Sequence, residues 1–194
     1  MKPLLSSLSA ALTIGLFALL AYSAYTAFSE NAGPGGTIGG SFALEDQNGR
    51  AVTDQTFRGK WLIVYFGYTH CPDACPTALN NIADALDQLG DKRKQVIPIF
   101  VTIDPARDTA KVLKEYLENF GPDFAGLTGS DAAIGSVEQE YHVYAAKHAE
   151  PNGDYDVDHS SIVYIMDPTG RFITNFTDET DPSTIATRLK ALMG

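Results

Sequence analysis

The sequence has little cysteine and few basic side chains. Its 194 residues include two cysteines, too few for the disulfide framework that stabilises many small secreted domains. Lys and Arg together number 14 against 24 Asp and Glu, which gives a formal net charge of −10. Because such a chain repels phosphate backbones, sequence-independent nucleic-acid binding is not expected. The hydrophobic share of 44% is nevertheless enough for one well-packed core, so the chain is not a disordered one.

Charged side chains are also missing between Lys2 and Glu30. The apolar stretch Leu4–Phe28 would span roughly 37 Å as a helix, more than the hydrocarbon core of a bilayer at about 30 Å. We therefore expect residues 1–29 to form an uncleaved transmembrane anchor. A cleaved signal peptide is the alternative, because small residues such as Ser23 offer a cleavage site.

Both interpretations export the rest of the chain. Lys2 precedes the apolar stretch, and the positive-inside tendency then places the N-terminus in the cytoplasm and everything after Glu30 outside. The segment lacks the Arg-rich, amphipathic character of an organellar transit peptide. The expected location is therefore a bacterial inner membrane, with the C-terminal domain in the oxidising periplasm.

Composition separates a tether from a folded domain. Residues 30–40 are rich in glycine and have no hydrophobic period, which indicates a flexible tether. In residues 41–194, apolar runs such as Trp61–Phe66, typical of a strand buried on both faces, alternate with segments of helical period. A hairpin around Asp167–Gly170 and a helix from Pro182 to Met193 close the chain. The pattern predicts one α/β domain, a mixed sheet flanked by helices.

Cys71 and Cys75 lie between a predicted strand and a predicted helix. Pro76 fits the first position of that helix, so the cysteine loop should face the positive end of a helix dipole, where thiolates are stabilised. Residues four apart share a helix face, so the two sulfurs could bind one metal ion or form a redox-active disulfide. Two inert buried cysteines and a small structural disulfide are further alternatives. The residues alone leave metal binding and redox chemistry both open.

A soft metal ion would need a third ligand, and the chain has four histidines. His159 stands at the mouth of a predicted strand after a long polar loop, and it meets the cysteines if that strand enters the sheet at the same end. His70 adjoins Cys71 and is expected to point to the opposite side, as a packing residue or a residue that supports the ligands. His142 and His148 are expected to be solvated. Two sulfurs and one imidazole would leave an open position suited to Cu(I), Cu(II) or Zn, with copper favoured by the Irving–Williams order.

Three segments of the domain carry distinctive motifs: Cys-x-x-x-Cys-Pro in Lys60–Pro76, an Asp-Pro turn in Val101–Thr109 and an Asp-His pair in Asp154–Ser160. They resemble the SCO/SenC family of membrane-anchored copper proteins, and the likeness runs from about Gly40 to the C-terminus. The resemblance implies a thioredoxin-like fold. It also implies a copper site made by Cys71, Cys75 and His159.

Two acidic residues, Asp73 and Asp158, match family positions as well. We expect them to lie beside the metal site or to serve in partner docking, and solvated loop carboxylates are the alternative. A metal-bound histidine usually needs its second nitrogen held by a hydrogen bond, which Asp158 could provide to His159.

The resemblance further implies a function in the assembly of respiratory cytochrome c oxidase. The protein would deliver copper, as Cu(I) or Cu(II), to the dinuclear copper site of subunit II, as a binding and transfer protein without enzymatic turnover. The alternative is reduction of the cysteines of that site by the Cys71–Cys75 dithiol. Other periplasmic copper chaperones and thioredoxin-like reductants are further expected partners.

Two enzyme classes compete with this interpretation. Thioredoxin-type oxidoreductases have two residues between their cysteines and a cis-proline facing them, whereas three residues intervene here and His159–Ser161 contains no proline. A thiol peroxidase would need a proline and a threonine ahead of its reactive cysteine. Thr69 is present, but no proline precedes it nearby. These departures weaken both alternatives without excluding reduction of one specific target.

Overall fold

The computed structural model describes residues 38–149 and 153–194. The predicted anchor, residues 1–29, and most of the tether predicted at residues 30–40 lie outside the described residues. In the described part of the chain, no helix is both long and apolar enough to cross a membrane. The described residues belong to one compact unit, Ile38–Gly194.

Strands and helices alternate along this unit. The strands are β1 (Ala43–Asp46), β2 (Ala51–Thr53), β3 (Trp61–Gly67), β4 (Val96–Thr102), β5 (Ala125–Thr128), β6 (Ala145–Ala149), β7 (Tyr155–His159), β8 (Ile162–Met166) and β9 (Phe172–Thr177). The α-helices are α1 (Ala74–Gln88), α2 (Ala110–Leu117), α3 (Asp131–Glu140) and α4 (Pro182–Met193). Short 3-10 helices lie at Asp54–Phe57, Gly90–Gln95 and Glu118–Phe120.

The main sheet has seven strands in the order β2-β1-β5-β4-β3-β8-β9. Strand β3 runs parallel to β4 and antiparallel to β8. Consecutive side chains of a strand point to opposite faces, and every residue of β3 from Leu62 to Phe66 is buried. Both faces of the sheet are therefore covered at its centre, and helix α1 packs against α4 on the outside. The predicted mixed sheet flanked by helices is confirmed.

The start of α1 differs from the prediction. The helix begins at Ala74 with Asp73 as its N-cap, so Pro76 is its third residue and not its first. A proline is tolerated there because N–H groups of the first turn have no partner inside the helix. The first helical hydrogen bond runs from the Thr77 N–H to the Asp73 carbonyl, at 3.1 Å. Cys75 is therefore part of the first helical turn and does not lie in the loop before it.

The polar loop predicted before His159 is also different. Strand β7 pairs antiparallel with β6 in a separate two-stranded sheet, in which Ala145 lies opposite His159. Aspartate is uncommon in strands, and β7 contains Asp156 and Asp158. Residue propensity therefore predicted a loop where the structure has a strand. His159 consequently stands at the end of a hairpin strand.

Candidate metal centre

The cysteine loop is placed by a central strand and the first turn of a helix. Strand β3 ends at Gly67, and the chain then turns so that the Cys71 N–H donates a hydrogen bond to the Tyr68 carbonyl at 3.2 Å. Cys71 is half-buried, and Cys75, inside α1, is fully buried. The Cys75 N–H donates to Cys71 Sγ at 3.4 Å. The Cys71 sulfur therefore sits at the N-terminal end of the helix, where backbone N–H groups stabilise negative charge.

His159 reaches the same point from the β6–β7 hairpin. Its Nδ1–H donates to the Ser160 carbonyl at 3.2 Å, because a carbonyl can only accept. That hydrogen bond leaves Nε2 as the nitrogen with a lone pair in the neutral imidazole, and Nε2 lies 3.6 Å from Cys75 Sγ. The rings of Tyr65 and Tyr68 stand edge-on to the imidazole, with centroids at 6.3 and 5.8 Å. The Ser160 carbonyl and the two tyrosine rings therefore hold the orientation of the His159 ring.

The structure brings the three predicted ligands together. Cys71 Sγ, Cys75 Sγ and a ring nitrogen of His159 all lie within 4.8 Å of one another, and they form the one such group of His, Cys, Asp and Glu found in the described residues. Two thiolates and an imidazole are a donor set for soft or borderline ions, and three protein ligands leave a coordination position open. The residues therefore fit a copper or zinc ion.

The other histidines lie away from this group. His70 is exposed, so the prediction that it packs against the domain is wrong, and its Nδ1 lies 3.2 Å from Thr69 Oγ1. His142, also exposed, follows the end of α3 with a φ of 55°. The Nε2 atom of His148 lies 2.9 Å from a carboxylate oxygen of Asp158. None of them belongs to the three-residue group of ligand atoms among the described residues.

Hydrogen bonding distributes the charge unequally between the two sulfurs. The Cys75 thiol donates a hydrogen bond to the Cys71 sulfur. Together with His159 and two backbone N–H groups, this hydrogen bond lowers the pKa of Cys71 to about 4, although burial alone would raise it. The same hydrogen bond, together with burial and the adjacent thiolate, raises the pKa of Cys75. Burial alone would lower the pKa of His159, but the Cys71 thiolate and the Ser160 carbonyl raise it. In the metal-free dithiol, the negative charge therefore resides on Cys71.

The two predicted accessory carboxylates lie at the surface. Asp73 is exposed and caps α1 without a side-chain hydrogen bond to the helix. Asp158 alternates with His159 along β7, so its side chain points to the opposite face of the hairpin and pairs with His148. The partner of His159 Nδ1 is the Ser160 carbonyl and not the expected Asp158 carboxylate. A function of either aspartate in docking stays a prediction.

A family model described as SCO1/SenC matches residues 30–194. The chain belongs to the SCO1/SenC family. A curated relative, the SCO2-like protein RP587 of Rickettsia prowazekii, is 44% identical over 141 residues, which cover 72% of this chain and 69% of that protein.

Solved structures place the fold in the same family. The structure of Bradyrhizobium japonicum ScoI with copper bound is 45% identical to this chain, with a TM-score of 0.75 over 79% of this chain and 98% of that one. BsSco, described as a member of the Sco family of cytochrome c oxidase assembly proteins, is 24% identical with a TM-score of 0.64, covering 82% of this chain and 95% of its own. The second likeness supports the fold alone. The predicted thioredoxin-like Sco fold is confirmed for the described domain.

Sequence reasoning missed residues that shape this Sco site. A Cβ on Gly67 would lie 2.6 Å from Cys75 Sγ, so a glycine at the end of β3 leaves room for the sulfur. The Tyr65 hydroxyl points at the same sulfur from 3.9 Å. The Tyr68 hydroxyl donates to Asp156 on β7 and so connects the cysteine side of the site with the hairpin. A glycine inside a strand often marks a close approach, and Gly67 at the end of an apolar run was the available signal.

Proposed function

We propose that this protein is a copper metallochaperone that delivers copper to the dinuclear copper site of cytochrome c oxidase subunit II. The observation that carries the proposal is the convergence of Cys71, Cys75 and His159, with ligand atoms within 4.8 Å of one another. Membership of the SCO1/SenC family supports it, as does the copper-bound structure of a relative that is 45% identical. Copper is the cargo here, carried as Cu(I) or Cu(II), and the protein binds and transfers it.

Ligand exchange is the transfer mechanism that the residues support best. Cys71 is the more exposed of the two sulfurs, so an acceptor thiolate approaches from its side. A new bond between copper and the acceptor sulfur forms as the Cys71–copper bond breaks. Further acceptor ligands then replace Cys75 and finally His159, so that the copper leaves bound to the acceptor. Cys75 then takes a proton from solvent, which its raised pKa in the metal-free site favours. Unequal proton affinity of the two sulfurs thus assists release of the cargo.

A second candidate function is reduction of the acceptor's own disulfide. It is favoured by the half-buried, low-pKa Cys71, since a thiolate is the attacking species in disulfide exchange. Cys71 would attack one acceptor sulfur and release the other as a thiolate. Cys75 would then lose its proton and attack Cys71, which frees the second acceptor thiol and leaves a Cys71–Cys75 disulfide. Two electrons pass from this dithiol to the acceptor.

We further propose that residues 1–29 anchor the protein in a bacterial inner membrane and hold the domain in the periplasm. The uncharged, apolar character of Leu4–Phe28 supports this location. The anchor would keep the copper site close to a membrane-bound oxidase. A protein found after cell fractionation in the soluble periplasmic fraction, shortened at its N-terminus, would instead indicate a cleaved signal peptide.

One pair of reactions separates the two functions. The full-length protein carrying one equivalent of Cu(I) is mixed with the copper-binding domain of subunit II with its cysteines reduced, and copper is measured in each protein after separation. In parallel, the copper-free dithiol is mixed with the same domain in its disulfide form, and free thiols are counted. Copper transfer in the first reaction, with or without thiol exchange in the second, supports the chaperone function. Thiol exchange in the second reaction with no copper transfer in the first supports the reductase function. The matched control is His148→Ala, which removes an exposed histidine outside the site.

A further inference from the structure

The hairpin that carries His159 is not part of the main sheet. Strands β6 and β7 pair only with each other among the described strands, and the seven-stranded sheet contains neither. A two-stranded ribbon is at best marginally stable on its own. The position of His159 relative to the cysteines therefore depends on contacts between the hairpin and the body of the domain.

Asp104 provides such a contact to both strands of the hairpin. Its carboxylate is fully buried just after β4. It accepts a hydrogen bond from Lys147 Nζ of β6 at 2.9 Å and from the Tyr155 hydroxyl of β7 at 2.7 Å. These hydrogen bonds hold the pKa of Asp104 below its usual value although burial alone would raise it. The buried carboxylate is thus a charged anchor for the hairpin.

Arg107 strengthens the same connection. Its guanidinium pairs with Asp104 and donates to the Tyr155 carbonyl at 3.0 Å. It also stacks over the Tyr155 ring, 3.8 Å from the centroid, and bonds Asp154 at 3.2 Å. A charge stacked on an aromatic face and a hydrogen bond to the backbone both restrict how β7 can shift.

Asp108, one residue further on, holds the cysteine side of the site. It is fully buried, and its carboxylate accepts hydrogen bonds from the Thr69 N–H at 3.0 Å and the Thr69 hydroxyl at 2.6 Å. The Thr102 hydroxyl of β4 donates to it at 2.7 Å. Thr69 is two residues before Cys71, so Asp108 fixes the start of the cysteine loop to the sheet.

We propose that the segment Asp104–Asp108 is a positioning element that sets the separation between His159 and the two sulfurs. Asp104 acts through the hairpin and therefore on His159, whereas Asp108 acts through Thr69 and therefore on the cysteines. The proposal rests on the copper site proposed above. Neither carboxylate is a ligand; each locates one part of the ligand set.

The metal-free protein provides the first test, which needs no copper. In the full-length protein, NMR contacts between the rings of His159 and Tyr68, whose centroids are 5.8 Å apart, report the position of the imidazole. Tyr155→Phe deletes the hydroxyl that donates to Asp104, and Lys147→Met deletes the partly exposed ammonium group that donates to Asp104. Both leave the buried carboxylate in place and are therefore milder than Asp104→Asn. We expect each to weaken or abolish the ring contact while the signals of the main sheet persist.

The second test is a thermodynamic cycle on copper binding. Loss of a group that orients a ligand typically weakens metal binding about 10–100-fold, so Tyr155→Phe and Lys147→Met should each weaken Cu(II) binding about tenfold and shift the sulfur-to-copper charge-transfer band. In a His159→Ala background, the same changes should alter affinity less than about twofold, because they act through His159. Thr69→Val removes the hydroxyl that donates to Asp108, and it should weaken Cu(II) binding by the same factor with His159 present or replaced, because Thr69 acts through the cysteines.

A structural control separates positioning from lost stability. Asp46 is another buried carboxylate, but its hydrogen bonds stay within its own turn, with Asn48 and Arg50. Asp46→Asn should lower the unfolding midpoint without moving the copper band or the His159 ring contact. The proposal is overturned if the Asp104-side variants keep the ring contact, or if their effect on affinity persists undiminished after His159→Ala. A wild-type protein that shows the ring contact but binds no copper refutes the proposed function, and the NMR comparison then decides the positioning element by itself.

Discussion

Replacement of Gly67 by alanine places one methyl group against the sulfur of the site. An ideal Cβ there would lie 2.6 Å from Cys75 Sγ, 3.0 Å from Phe100 Cε2 and 3.1 Å from Tyr65 Cε1. Non-bonded heavy atoms are normally about 3.5–4.0 Å apart, so the sulfur must move by about 1 Å, and the two buried rings leave it little room. Overpacking of a core typically costs about 1–3 kcal/mol, and three simultaneous close contacts favour the upper half of that range.

The assay measures unfolding and copper binding of the same preparation. A loss of about 2–3 kcal/mol corresponds to a fall of about 5–10 °C in Tm for a domain of this size, and a sulfur displaced by about 1 Å should weaken Cu(I) binding at least about tenfold. The matched control is Gly135→Ala in α3, where no atom lies within 4 Å of the new Cβ. That change should stabilise the helix by about 0.5–1 kcal/mol and leave copper binding unchanged. Wild-type stability and copper affinity in Gly67→Ala would refute the argument that this glycine makes room for the sulfur.

Three further predictions concern charge. Iodoacetamide should modify Cys71 of the reduced, metal-free protein nearly as fast at pH 6 as at pH 8, since a pKa of about 4 keeps it a thiolate throughout; a rate that climbs steadily through pH 8–9 contradicts this. Asp167→Ala should cost about 2 kcal/mol near neutral pH, because hydrogen bonds from residues 169 and 171 outweigh burial and lower the pKa of Asp167 from 3.8 to about 2. As the folded pKa is the lower one, this stability is present above pH 4 and is lost as pH falls towards 2, so chemical unfolding curves of the two proteins should converge there and stay apart at pH 7. Asp158→Ala should leave Cu(I) affinity within about twofold of wild type, since its carboxylate pairs with exposed His148 and such pairs contribute little; a tenfold loss in a chelator competition would contradict this geometry.

The central strand and the cysteine loop could be predicted from the sequence because their signals are local. Trp61–Phe66 is a near-continuous apolar run, which is typical of a strand buried on both faces, and Cys71 follows it after four residues. The sequence pattern of strand β7 in the β6–β7 hairpin was weaker but present. Tyr155, Val157 and His159 alternate with two aspartates, and this period of two places the aspartates outside. Because aspartate is uncommon in strands, Asp156 and Asp158 favoured a loop prediction, and the alternating pattern was not recognised.

The contacts between distant segments could not be predicted. His159 and Cys75 are 84 residues apart in the chain, and spacing alone cannot say at which end of the sheet a strand enters. The hydrogen bonds of Asp104 with Lys147 and Tyr155 likewise join residues more than 40 positions apart. The expectation that His159 donates a hydrogen bond to the Asp158 carboxylate was wrong for a simple reason: neighbours in a strand face opposite sides.

The central claim is that Cys71, Cys75 and His159 bind one copper ion together, and a competition titration tests it most directly. The reduced full-length protein is titrated with Cu(I), Cu(II) and Zn against chelators of known affinity, beside Cys71→Ser, Cys75→Ser and His159→Ala. We expect one tightly bound copper per chain, preferred over zinc and strongly weakened in all three variants. Full copper affinity in His159→Ala would contradict the three-ligand site, and the absence of tight copper binding in the wild-type protein would contradict the copper function itself.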